Sequence, residues 1–147
     1  MRFIFLDIDG VLNSDKYIGS GKFNLENPIS QIDPDSVLLI NKLVDKTGAV
    51  VILSSNWRLL FSLTKINKMF TKCGSTFRVT AKTPSQRKIT SYREWEVKEF
   101  LSKNPAESFV ILDDVNEFYD LKNNLVLINS LVGITEKDLD KAIRILL

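Results

Sequence analysis

Histidine is absent from this 147-residue sequence, and cysteine occurs once, at Cys73. Without histidine a Ser-His-Asp arrangement in its usual form is excluded, so proton transfer falls to carboxylates, lysine or metal-bound water. A single cysteine excludes an internal disulfide and a cysteine-rich zinc site. As a nucleophile Cys73 would want a histidine base, and its expected place is instead a half-buried helix position. There is no internal repeat, linker or low-complexity tract. No apolar run approaches the roughly 20 residues of a membrane-spanning helix. Asp7 interrupts the N-terminal apolar run, Phe3 to Leu6, too early for the core of a secretory signal, so the expected compartment is the cytoplasm.

What is present fits one globular domain over residues 1–147. Apolar residues make up 44% and charged residues 26%, the usual soluble mixture, and a chain of this length can bury roughly 70% of its unfolded surface. The net charge of +2 is unevenly spread, with ten basic residues and three acids between Lys65 and Lys103. A basic middle between acidic ends suits a polyanionic substrate meeting a carboxylate-held metal, although solvated helix faces would give the same count.

Three short runs, FIFL at 3–6, VVIL at 50–53 and FVIL at 109–112, are apolar without alternation, as strands buried on both faces of a parallel sheet must be. LVLI at 125–128 is a fourth strand, and FRVTA at 77–81 alternates like an edge strand. Between them, Asp33-Pro34-Asp35 opens a helix that Thr47-Gly48 ends. Residues 58–72 and 91–103 give two more helices, the second with Trp95, Val97, Phe100 and Leu101 facing inward. Thr135, with Asp138 three residues on, opens a last one carrying Leu139, Ile143 and Leu146. Alternating strands and helices imply an α/β, three-layer, Rossmann-like domain with a mainly parallel five-stranded sheet. Residues 14–32, with Gly19, Gly21 and Pro28, read as a flap or irregular hairpin, too short for a separate cap domain.

Ligands on such sheets bind beyond the carboxyl ends of the strands, and there the apolar runs stop at Asp7, Ser54 and Asp113. Asp9 can reach the same space as Asp7 through a turn permitted by Gly10. Asp113 and Asp114 form a second acidic pair. Carboxylates brought together repel unless a cation lies between them, and hard oxygen ligands favour Mg²⁺. A calcium loop is disfavoured, because Leu12 and Ile18 stand where it wants glycine and glutamate. A single acidic pair could merely cap a turn; two pairs after two similar strands argue otherwise. The Ser54 hydroxyl, with backbone N–H groups of the following turn, can hold a phosphoryl oxygen, although Ser54-Ser55-Asn56 also reads as a helix cap.

The segments DIDGVLN, VILSSNWR, YREWEVKEFL and VILDD, in that order, resemble the haloacid dehalogenase (HAD) superfamily of Mg²⁺-dependent phosphatases and phosphotransferases over nearly the whole chain. SSNWR, the arginine-led helix and the GITEKDLDKAI ending look most like the small HAD domains associated with RNA-repair proteins. The resemblance implies that Asp7 attacks phosphorus and becomes an aspartyl-phosphate, while Asp9 protonates the leaving oxygen and then activates water. A carboxylate ionised at neutral pH needs no base to act, whereas Asp9 must carry a proton, which burial or neighbouring acids would favour. Mg²⁺ would take an oxygen of Asp7, the carbonyl of Asp9 and a carboxylate of Asp113 or Asp114. Arg93 best matches the family's basic phosphate-binding position, with Lys82 and Lys88 as rivals.

Gly10, Ser55, Asn56 and Arg58 complete the expected substrate contacts, Arg58 being a helix-surface charge otherwise. Trp57 and Trp95 read as core or rim residues. The expected activity is Mg²⁺-dependent hydrolysis of a phosphomonoester carried on a nucleotide or nucleic-acid end, with no membrane partner. Two alternatives stand beside it. A receiver-like signalling module would want its acceptor aspartate near position 54, where serine stands; a catalytically silent phosphate-binding domain would keep the fold without turnover.

Overall fold

The computed structural model describes residues 1–85 and 92–147. Five parallel strands, β1 (Arg2–Leu6), β2 (Val50–Leu53), β3 (Val79–Lys82), β4 (Ser108–Asp113) and β5 (Leu125–Leu127), form one sheet in the order β3-β2-β1-β4-β5. The three unalternated runs supply the three central strands, where both faces must be apolar. In β1, Ile4 and Leu6 enter one core while Phe3 and Phe5 enter the other. The alternating FRVTA run supplies edge strand β3, which starts at Val79 because Phe77 turns to pack on Phe70.

Helices α1 (Asp15–Ile18), α2 (Pro34–Thr47), α3 (Leu63–Lys72), α4 (Tyr92–Lys103) and α5 (Glu136–Leu146) connect and cover the sheet. α2 starts on the Asp33 carboxylate, which accepts from the Asp35 amide, and ends where Gly48 takes a left-handed φ of 66°. The helix expected over residues 58–72 is broken in two. Ser55 caps a 3-10 turn, Asn56–Leu59, and Ser62 caps α3, each hydroxyl satisfying an amide that a continuous helix would have used otherwise. Residues 14–32 form helical turns rather than a hairpin: α1 starts on Ser14, and a 3-10 turn, Pro28–Gln31, starts on Asn27. The Tyr17 hydroxyl donates to the Ser30 carbonyl at 2.7 Å and ties the two turns together.

At the start of α5 the Thr135 hydroxyl accepts from the Asp138 amide while the Asp138 carboxylate accepts from the Thr135 amide. Thr135→Ala should therefore lower stability by about 1 kcal/mol, seen as a fall of a few degrees in Tm. An unchanged Tm would mean that the last helix is held by its apolar face alone.

Right-handed crossovers decide which face each helix covers. The chain moves outward from β1 to β2 to β3, so α2 and α3 share a face, joined there by α5. It then reverses past β1 to β4, which places α4 on the opposite face over Phe3, Phe5, Ile52 and Ile111. Val97 is buried there and Phe100 and Leu101 pack beside it, as their spacing predicts. Trp95 is only half-buried, and the buried positions of α4 include Glu94 and Glu96, whose partners are described below. The reversal opens a crevice beyond the carboxyl ends of β1 and β4. No helix among the described residues is long and apolar enough to cross a membrane.

Candidate active site

Leu6 is level with Leu53 on one side and Leu112 on the other. The residues that follow, Asp7, Ser54 and Asp113, therefore emerge side by side, with strands about 4.8 Å apart. Carboxylate oxygens of Asp7, Asp113 and Asp114 lie within 4.8 Å of one another. Asp7 and Asp113 are buried and Asp114 is half-buried. Gly10 makes room for this cluster: its φ is 82°, and a Cβ there would stand 2.2 Å from the Asp114 carboxylate. Gly10→Ala is thus both strained and in collision with an acid.

Arg93, in the first turn of α4, reaches across the crevice. Its Nη1 lies 3.1 Å from Asp113 Oδ2 and 3.5 Å from Asp7 Oδ1. Asp7 Oδ1 also accepts from the Ile8 amide at 2.9 Å, while Oδ2 accepts no hydrogen bond among the described residues. One oxygen of Asp7 is thereby anchored and the other left available. Asp113 Oδ1 accepts from the Val115 amide. The Ser54 amide is spent in the sheet ladder on the Leu6 carbonyl, which leaves its hydroxyl, rather than its N–H, to meet a ligand.

Burial, and then the neighbouring Asp113, push the Asp7 carboxyl well above the usual range, against the pull of Arg93. Burial likewise raises Asp113 to about 6, with Arg93 opposing. Burial works against the charge on Arg93, but Asp7 and Asp113 outweigh it and hold the guanidinium firmly protonated. Without a cation, burial and Asp113 thus disfavour charge on Asp7, and a metal held beside it would offset that.

The three oxygen donors suit a hard divalent ion, and the electrostatics yield a signed prediction. Both shifted groups have native pKa values above the unfolded one. The stability each contributes is full below about pH 4 and is lost with rising pH; for Asp113 the loss comes as pH rises through about 6 and is on the order of 3 kcal/mol. Mg²⁺ should restore it, so the Mg²⁺-induced rise in Tm should be several degrees larger at pH 7.5 than at pH 5. A shift independent of pH would remove the cluster as the binding site.

Asp9 departs from expectation. It is exposed, and its carboxylate lies outside the Asp7, Asp113 and Asp114 cluster. Its Oδ1 accepts from the Trp57 indole and the Asn13 amide, both at 3.1 Å. The expected burial among acids is absent because the turn at Gly10 carries Asp9 outward, where Trp57 from the neighbouring loop meets it. Asn13 holds that turn, its Oδ1 accepting from the Gly10 amide at 3.0 Å.

Arg58, expected as a phosphate contact, is neither that nor a surface charge. It is 4% exposed. Its Nε donates to Thr83, Nη1 to the Ser54 and Ser55 carbonyls, and Nη2 to Pro84 and, at 2.7 Å, to Glu96 Oε2. It clamps the loop after β2 to the loop after β3 and to α4. Glu94 does similar work: its Oε1 accepts from the Tyr119 and Leu121 amides and anchors the loop that follows Asp114. An acid at two core-facing helix positions was the available signal, but a one-dimensional pattern names no partner.

Ser55 is fully buried and caps Trp57, and Asn56 stands half-buried at the rim. Lys82 is exposed at the end of edge strand β3, two strands and about 10 Å from Asp7, so among the described residues Arg93 is the cation at the acids. Lys88 lies outside the described residues.

The family described as HAD domain in Swiss Army Knife RNA repair proteins matches residues 3–139. No curated protein and no solved structure matches the chain.

Proposed function

The chain belongs to the family of HAD domains in Swiss Army Knife RNA repair proteins, and on that premise we propose that it hydrolyses a phosphomonoester with Asp7 as nucleophile. The observation that carries this reading is the meeting of Asp7, Asp113, Asp114 and Arg93 at the ends of adjacent parallel strands.

An oxygen of Asp7 attacks phosphorus, and the P–O bond to the leaving group breaks as Asp9 gives that oxygen a proton. Asp9 then takes a proton from water as the water oxygen attacks phosphorus and the P–O bond to Asp7 breaks, releasing phosphate and restoring the Asp7 carboxylate. Trp57 and Asn13 orient Asp9 for both transfers. Arg93 and the Ser54 hydroxyl bind the phosphoryl oxygens. The carboxylates of Asp7, Asp113 and Asp114, with the Asp9 carbonyl, would hold Mg²⁺, which supplies Lewis-acid withdrawal of phosphoryl charge.

A nucleotide or nucleic-acid end is the proposed phosphate carrier. The match to RNA-repair domains supports it. The test is phosphate release from an aryl phosphate and from terminally phosphorylated oligonucleotides, with Mg²⁺ and after chelation. Chelation should abolish release, and acid quenching during turnover should trap a hydroxylamine-labile phosphoryl group on the protein. No release from any phosphoester in Mg²⁺ would refute the reading.

A further inference from the structure

Residues 46–93 hold ten bases and not one aspartate or glutamate, whereas the rest of the chain holds ten bases against all eighteen acids. Arg58 and Arg93 are spent inside the fold. Five others, Lys65, Lys68, Lys72, Arg78 and Lys82, are exposed on α3, on β3 or just before β3. None of the five enters an ion pair among the described residues. Elsewhere, Arg2, Lys42, Lys98 and Lys103 are each matched by an acid.

These free cations flank a groove of about 320 Å³ lined by Thr64, Asn67, Lys68, Thr71, Lys72 and Arg78. Its walls are fixed relative to one another. The buried Asn67 side chain donates to the Val79 carbonyl at 2.9 Å and accepts from the Val79 amide at 2.8 Å, riveting α3 to β3. On α3, Lys68 and Lys72 are one helical turn apart, about 6 Å along the axis. Along the sheet edge, cations run from Lys82, level with Leu53 at the end that carries the acids, to Arg78 some 13 Å away. The 3-10 turn between Ser54 and α3 exposes Leu59 and Leu60, an apolar surface of the sort that bases can cover.

We propose that this α3–β3 flank is a docking surface for the phosphodiester backbone of a polynucleotide whose phosphorylated end occupies the acid-lined crevice. Regularly placed, unpaired cations in a preformed groove suit a chain of evenly spaced phosphates, and such contacts bind by releasing counterions. The proposal rests on the phosphomonoesterase reading only for the direction in which the chain lies; the surface binds whether or not turnover occurs.

The experiment measures binding of a phosphorylated 12-nucleotide RNA, single-stranded and as duplex, over a range of salt concentrations. The parent is compared with the triple variant Lys68→Ala, Lys72→Ala, Arg78→Ala, and aryl phosphate hydrolysis is followed in parallel. The triple variant should bind at least tenfold more weakly at low salt. Its plot of log affinity against log salt should be shallower by about 2, three contacts at about 0.7 each for a single strand. Aryl phosphate hydrolysis should not change. The control is Lys137→Ala, Lys141→Ala, Arg144→Ala on α5, where the bases alternate with Glu136, Asp138 and Asp140. It removes the same charge and should leave RNA binding intact. Equal weakening in both triple variants, or an unchanged slope in the first, overturns the surface. A parent that binds RNA with the expected slope but hydrolyses neither substrate overturns the catalytic reading and leaves the surface standing.

Discussion

Asp7→Asn should reduce Mg²⁺-dependent phosphate release by about 10⁴-fold or more, because an amide oxygen is a far poorer nucleophile than a carboxylate. The substitution keeps the shape of the side chain and an oxygen that can still accept from the Ile8 amide. It removes one of three acids crowded into the crevice. Burial and Asp113 already disfavour charge at Asp7, so the metal-free variant should be no less stable than the parent at neutral pH. Retained Tm together with lost turnover separates a chemical defect from an unfolded protein. Mg²⁺-dependent turnover that survives the change would move the nucleophile elsewhere.

Glu96→Ala should cost about 3–5 kcal/mol, with a fall in Tm on the order of 10 °C. The variant leaves Arg58 buried without its carboxylate, and the penalty is the uncompensated charge rather than the loss of a single contact. Arg58 is 4% exposed and Glu96 1%, so water cannot take over. The damage should also reach the crevice, since Arg58 holds the carbonyls of Ser54 and Ser55. Replacing both partners, Arg58→Met with Glu96→Leu, should recover only part of the stability, because no charge is left unpaired but the Ser54, Ser55, Thr83 and Pro84 carbonyls lose their donor. Denaturant unfolding of the single and double variants measures both effects. A single variant within about 1 kcal/mol of the parent would show that solvent reaches Arg58.

Much of the fold was legible because apolar runs and turn residues are local signals. The runs at 3–6, 50–53 and 109–112 became β1, β2 and β4, and the alternating run became an edge strand. The single helix expected over 58–72 was misread because the caps at Ser55 and Ser62 outcompete continuous periodicity. The acids and serine at the strand ends were visible as residue types.

Residue type and spacing by themselves determined a parallel α/β sheet, the exclusion of histidine and paired-cysteine chemistry, and acids at the ends of neighbouring strands. Only the tertiary structure decided that Arg93 bridges those acids, that Trp57 holds an outward-turned Asp9, and that Arg58 is a buried clamp rather than a phosphate contact. Strand burial is written into neighbouring positions along the chain. The partner of a charge 20 to 48 residues away depends on how separate elements pack and on which groups packing removes from water.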